Sequence, residues 1–96
     1  MAYVIQYYHE GIKVGKHKGM WLNRLKCGYS PLGTCNVSRN ITRRSHIATR
    51  VCTIGGMPLA TYKFNPPNLV VTTYNSPRFE QLVIDQIKNE KGSHDD

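Results

Sequence analysis

Cations and flat aromatic side chains recur together through the first half of this 96-residue chain. Lys16, His17 and Lys18 stand just before Trp21, and Arg24 and Lys26 precede Tyr29. Arg39, Arg43 and Arg44 lie in a stretch of Asn, Ser and Thr that Arg50 follows. Such a set suits recognition of a polyanion. Lys and Arg neutralise phosphates and release their counterions, flat rings stack on exposed bases, and hydroxyls and amides donate to phosphate oxygens. The expected phosphate contacts are Lys16, Lys18, Arg24, Lys26, Arg39, Arg43, Arg44 and Arg50, with Tyr29 and Trp21 as stacking candidates. If six of these cations engage, log affinity should fall with log salt at a slope of about −4 to −5.5. Trp21 has a competing role, because a lone tryptophan in a small domain ordinarily fills the core. Tyr7 and Tyr8 are neighbours on an expected strand, so one faces inward and only the other is free for a ligand.

Two other chemistries are weaker. Cys27, Cys35 and Cys52, with His46 or His17, are of the types that bind zinc. Structural zinc sites, however, bring paired ligands two to four residues apart, and Cys27 and Cys35 are separated by eight with no second pair. Free cysteines acting as small buried hydrophobes are the expectation, with no metal and no cofactor. His46 beside Arg43 and Arg44, with Tyr29 or Ser45, has the ingredients of a metal-free ribonuclease site. Histidine next to arginine occurs on any basic surface, so the chain is read as a non-enzyme. It has neither a Walker A motif nor a dinucleotide fingerprint.

The charge is unevenly placed. The formal total is +7. Residues 1–52 carry nine cations and only Glu10 as an acid, whereas residues 53–96 carry four cations and five acids. The excess therefore belongs wholly to the first half, in two stretches, 13–26 and 39–50. The opening residues lack the basic segment and apolar core of a secretory signal, and no apolar run approaches a membrane span. Three cysteines do not close a disulfide framework. A reducing, cytoplasmic setting is expected.

Positioning these side chains requires a scaffold, and the pattern predicts one. The length suits a single basic domain over residues 1–92, with 93–96 as a disordered acidic tail. Residues 3–8 are tyrosine-rich and β-branched, as a strand is, and 12–14 suit its return. Residues 20–27 fit a strand better than a helix, and 28–34 read as a loop from their turn residues. Residues 36–45 have only Val37 and Ile41 as aliphatics, four apart. Their Asn, Ser and Thr lower helix propensity, so a loop with a short helix is expected there. Residues 46–54, 59–64 and 69–74 read as strands, with Pro66 and Pro67 in a turn. Ser76 as cap, Pro77 at the first helical position, Glu80 in the first turn and Phe79, Leu82, Val83 and Ile87 on one face predict a helix over 77–91. The fold class is α+β: a small, mostly antiparallel sheet with one C-terminal helix packed on it.

The function this predicts is a small nucleic-acid-binding accessory protein, with RNA or a single strand favoured. Major-groove readers insert a helix, and no well-formed helix is expected to carry the basic residues. The alternative is an inhibitor or adaptor that sets the same arginines against an acidic protein partner such as a nucleic-acid-processing enzyme. No membrane partner is expected. The chain is read as a monomer or as a homodimer joined through a strand edge such as residues 3–8.

Overall fold

Strand β1, Tyr3–Tyr8, is the second of five strands in an antiparallel sheet. β2 (Trp21–Cys27) and β3 (Thr49–Thr53) flank it, and β4 (Pro58–Asn65) and β5 (Leu69–Tyr74) complete the order β2-β1-β3-β4-β5. Helices α1 (Pro31–Ser45) and α2 (Pro77–Ser93) both pack on one side of the sheet, α1 mainly against β3 and β4, and α2 against β4, β5 and α1. This is a computed structural model, and it describes residues 2–8, 20–27 and 30–93, with the side chains of 24–27 and 91–93 left aside. The expected α+β class holds, with a second helix added. The expected strand at 12–14 and residues 94–96 of the expected acidic tail lie outside the described residues, while Ser93, expected in that tail, belongs to α2.

The core follows from alternation. Tyr3, Val51, Ala60 and Tyr62 face the helices, and Cys35, Phe79 and Val83 come down to meet them. Tyr3 and Phe79 meet edge to face at 5.4 Å. α2 starts as its sequence dictates: the Ser76 hydroxyl accepts from the Phe79 amide at 3.3 Å, with Pro77 next in line. Its inner face is Phe79, Val83 and Ile87, while Leu82 is largely exposed.

α1 departs from expectation. It is a full helix of 15 residues where a loop with a short helix was predicted. Its start has the standard signals: the Ser30 hydroxyl accepts from the Gly33 amide at 3.1 Å and Pro31 follows at the first helical position. α2 adds another, since the Gln86 side-chain oxygen accepts from the Leu32 amide at 2.8 Å. The buried face is Thr34, Cys35, Ser38 and Thr42, not Val37 and Ile41. The propensity argument failed because it treated these hydroxyls as solvent-facing competitors for the backbone, whereas the fold turns them inward to a partner.

That partner is Thr49. Its hydroxyl donates to the Ser38 carbonyl at 3.0 Å and accepts from the Ser38 and Thr42 hydroxyls at 2.5 and 2.7 Å. One donor and two lone pairs are all a hydroxyl has, so the group is saturated. All three side chains are fully buried.

β1 is an internal strand, so it cannot supply the edge proposed for dimerisation; among the described residues the edges are β2 and β5. The reason is topological: β3 returns alongside β1 after α1 and covers it.

Two outcomes test this packing. Thr49→Val keeps the shape but takes the partner from two buried hydroxyls, and should cost about 2–4 kcal/mol in urea unfolding. Thr73→Val, on the exposed side of β5, should stay within about 0.5 kcal/mol of the parent. The second outcome concerns pH. Burial pushes the Cys35 thiol above its ordinary 9.0, with Tyr62 and Arg39 pulling the other way, and burial together with Cys35 pushes the Tyr62 phenol above 10.0. The unfolded chain releases these protons first, so stability is fully present below pH 9.0 and falls as pH rises beyond it. Cys35→Ala, less stable throughout, should lose less between pH 9.0 and 10.0 in the same assay.

Candidate nucleic-acid interface

β3 is shorter than its neighbours at the end where it begins. Its first residue, Thr49, pairs with Tyr7 of β1 and Tyr62 of β4. Beyond that rung, β1 continues to Tyr8 and β4 to Asn65 with nothing of β3 between them. The result is a notch. Ala48 lies at its base, tied there by the Tyr8 amide donating to the Ala48 carbonyl at 2.9 Å. Tyr8, Trp21, His46, Lys63 and Phe64 line the rest of a cleft of about 430 Å³.

Two aromatic pairs form its walls. Tyr8 and Trp21 meet with ring centroids 5.1 Å apart. His46 and Phe64 stack at 4.1 Å with planes 11° apart. His46 holds an unusual backbone: it caps α1 in the left-handed region at φ 57°, its amide donating to the Thr42 carbonyl at 2.8 Å. Glycine takes that conformation without cost, and histidine pays about 1 kcal/mol or more. Stacking on Phe64 offsets part of that and fixes the ring as a wall.

Arg50 lies on the sheet face away from the helices, because Thr49 beside it points into α1. Its guanidinium lies over the Trp21 ring, 4.4 Å from the centroid, and its Nε donates to Gln6 Oε1 at 2.8 Å. Gln6 Nε2 in turn donates to Asn23 Oδ1 at 2.9 Å, and the Cys52 thiol points at Gln6 Oε1 from 3.5 Å. Burial pushes that thiol up, with Arg50 pulling it down. Trp21 is thus half-buried between Tyr8 and Arg50, neither core nor a bare platform. This corrects the expectation that a lone tryptophan fills the core.

The predicted cations divide. Arg43 and Arg44 are exposed in the last turn of α1, shortly before His46 in the chain. There they offset the negative end of the helix. So a well-formed helix does carry basic residues, contrary to expectation, because α1 is longer than its propensity suggested. Arg50 is engaged by Trp21 and Gln6. Arg39 is not a free surface cation: its guanidinium lies over the Tyr62 ring at 5.7 Å, and its Nε is buried. The reason is position, since Arg39 follows Ser38 on the inner side of α1. Arg24 and Lys26 belong to β2. Lys16, Lys18 and Tyr29 lie outside the described residues. Of the two neighbouring tyrosines expected to offer one ring, Tyr8 is the one in the cleft, whereas Lys63, Phe64, Gln6 and Asn23 were missed as site residues. Alternation in β4 was the one available signal for Lys63; the others meet only through pairing of distant segments.

The metal set does not assemble among the described side chains. Cys35 sits in the core on the helix side, and Cys52 contacts Gln6 on the opposite face, so one ion cannot reach both. No group of three or more His, Cys, Asp or Glu among the described residues is placed to hold a metal. Of the ribonuclease candidates, the Ser45 hydroxyl donates to the Ile41 carbonyl at 2.6 Å, one face of the His46 ring stacks on Phe64, and Tyr29 lies outside the described residues. Among the described residues no helix is long and apolar enough to cross a membrane.

Comparison of the chain with protein-family models, curated proteins and solved structures found no match.

The chain has one tryptophan, so its emission reports on this network alone. Arg50→Met keeps the aliphatic stem but removes the cation from the ring and the donor from Gln6. Trp21 emission should move to longer wavelength and stability should fall by about 1 kcal/mol.

Proposed function

We propose that this chain binds single-stranded nucleic acid, such as an unpaired stretch of RNA, with a base held in the notch and the flanking phosphates on Arg43, Arg44 and Lys63. The observation that carries this reading is the notch itself. Four aromatic rings surround a floor made by a residue with almost no side chain, the exposed Lys63 is part of the lining, and Arg43 and Arg44 precede His46 in the last turn of α1. Duplex bases are stacked and unavailable to such a site, whereas an unpaired base can leave its strand and stack on a protein ring. The single-strand preference thus rests on the aromatic walls, and no longer on the absence of a basic helix.

Shape and charge are separable here. Ala48→Leu leaves every charge in place and fills the floor. It should weaken binding of a mixed single-stranded RNA pool by about 1–3 kcal/mol, the contribution of one stacked base, without altering the salt slope. Arg43→Glu with Arg44→Glu should instead flatten the slope by about 1.4. His46→Gly relieves the left-handed backbone while removing one wall, so stability should hold within about 1 kcal/mol as affinity falls. Fluorescence titration of Trp21 across a salt series measures all three. A slope near zero for the parent chain would sink the reading, as would an Ala48→Leu variant that binds as the parent does.

A further inference from the structure

The two edges of the sheet are built differently. β2 carries Arg24 and Lys26, and its pairing with β1 slips between Ile5 and Gln6. Charge and irregularity both hinder a further strand. β5, at the other edge, reads Leu-Val-Val-Thr-Thr-Tyr, with no charge and no proline. Its register with β4 runs unbroken from Asn65↔Leu69 to Ala60↔Tyr74. On the face away from the helices, Leu69 is 67% exposed and Val71 is 42% exposed. Even Val70, Thr72 and Tyr74, on the helix side, are only half-buried. The strand has none of the usual defences of an edge.

An edge presents a row of N–H and C=O groups that only another strand satisfies in series. We infer that this strand is β5 of a second copy of the chain, antiparallel about a two-fold axis through Val71. Directly opposed residues share a face, so pairing 71 with 71 keeps the helices of both copies on one side. Val71 then meets its mate, and Leu69 meets Thr73 on the same face. Val70 meets Thr72 on the helix side. The strand is self-complementary in this register, with no charge set against charge.

Electrostatics favours this edge over any other contact between two chains of charge +7. The excess belongs to residues 1–52, and no charged residue lies between Lys63 and Arg78. Two copies joined at β5 set no charged residue of that strand against another, and the cation beside the axis, Lys63, lies one strand inward from Val71 in each copy. The resulting sheet has ten strands, with a basic half at each end.

Light-scattering mass over a wide range of concentration tests this. The mass should approach twice that of the chain as concentration rises. Added salt should favour the larger species, because it screens the repulsion between two cationic bodies. Salt acts in the opposite direction on nucleic-acid binding, so failure of one reading is distinguishable from failure of the other. Val71→Lys opposes two ammonium groups across the axis and should give single-chain mass with unchanged circular dichroism. If that variant does not fold, amide exchange in the unaltered chain decides. Residues 69–73 should exchange more slowly at high concentration than at low. A chain that stays single at every concentration and salt overturns the inference, including one that takes up a strand from another protein. So does a dimer that survives Val71→Lys, or one whose residues 69–73 exchange equally at both concentrations.

Discussion

The Thr49 hydroxyl is the contact on which the arrangement depends. It fastens α1 to the sheet through Ser38 and Thr42, and it does so with every hydrogen-bonding position filled. A purely apolar seam would tolerate sliding of the helix along the strand. A saturated hydroxyl tolerates little, since any shift leaves a buried polar group unpaired. Fixing Thr49 fixes three further things. The rung Tyr7–Thr49–Tyr62 marks where the notch begins. The end of α1, which carries Arg43 and Arg44 in its last turn, brings His46 to that point. The next residue, Arg50, must turn to the opposite face, where it meets Trp21 and Gln6.

The notch is a consequence of unequal strand lengths. β1 and β4 outrun β3, and the residue that occupies the gap is alanine. Space in a close-packed domain usually closes by side-chain adjustment. Here Tyr8 and Trp21 support each other on one wall and His46 and Phe64 on the other, so the rings stand apart. The strained backbone of His46 fits this view, since such strain persists only where surrounding contacts hold it.

Charge and scaffold are divided along the chain. The first half supplies β1, β2, α1 and β3, with Arg50 networked to Gln6 and with Arg43 and Arg44 on the helix end. The near-neutral second half supplies β4, β5 and α2, which close the core. Only Lys63 among its cations reaches the notch. A basic surface and an uncharged sheet edge can therefore coexist in so small a domain.

Much of the fold was legible in the sequence. The patterns of residues 3–8, 20–27, 46–54, 59–64 and 69–74 marked all five strands within a few residues, and Ser76, Pro77 and the Phe79–Val83–Ile87 spacing marked α2. These signals are local, because they arise from backbone preference and from one face being buried. The basic first half was equally plain. What the sequence could not disclose was that the Ser38 and Thr42 hydroxyls would find Thr49, so α1 looked like a poor helix when read alone. Nor could it disclose that Arg39 turns inward, that Trp21 sits under Arg50, or that His46 stacks on a phenylalanine 18 residues away. Each depends on a partner brought near only by strand pairing, and no local spacing encodes that. The sequence by itself determined the charge, the class of fold and the five strands. The tertiary structure alone decided which cations stay at the surface and where the aromatic rings meet.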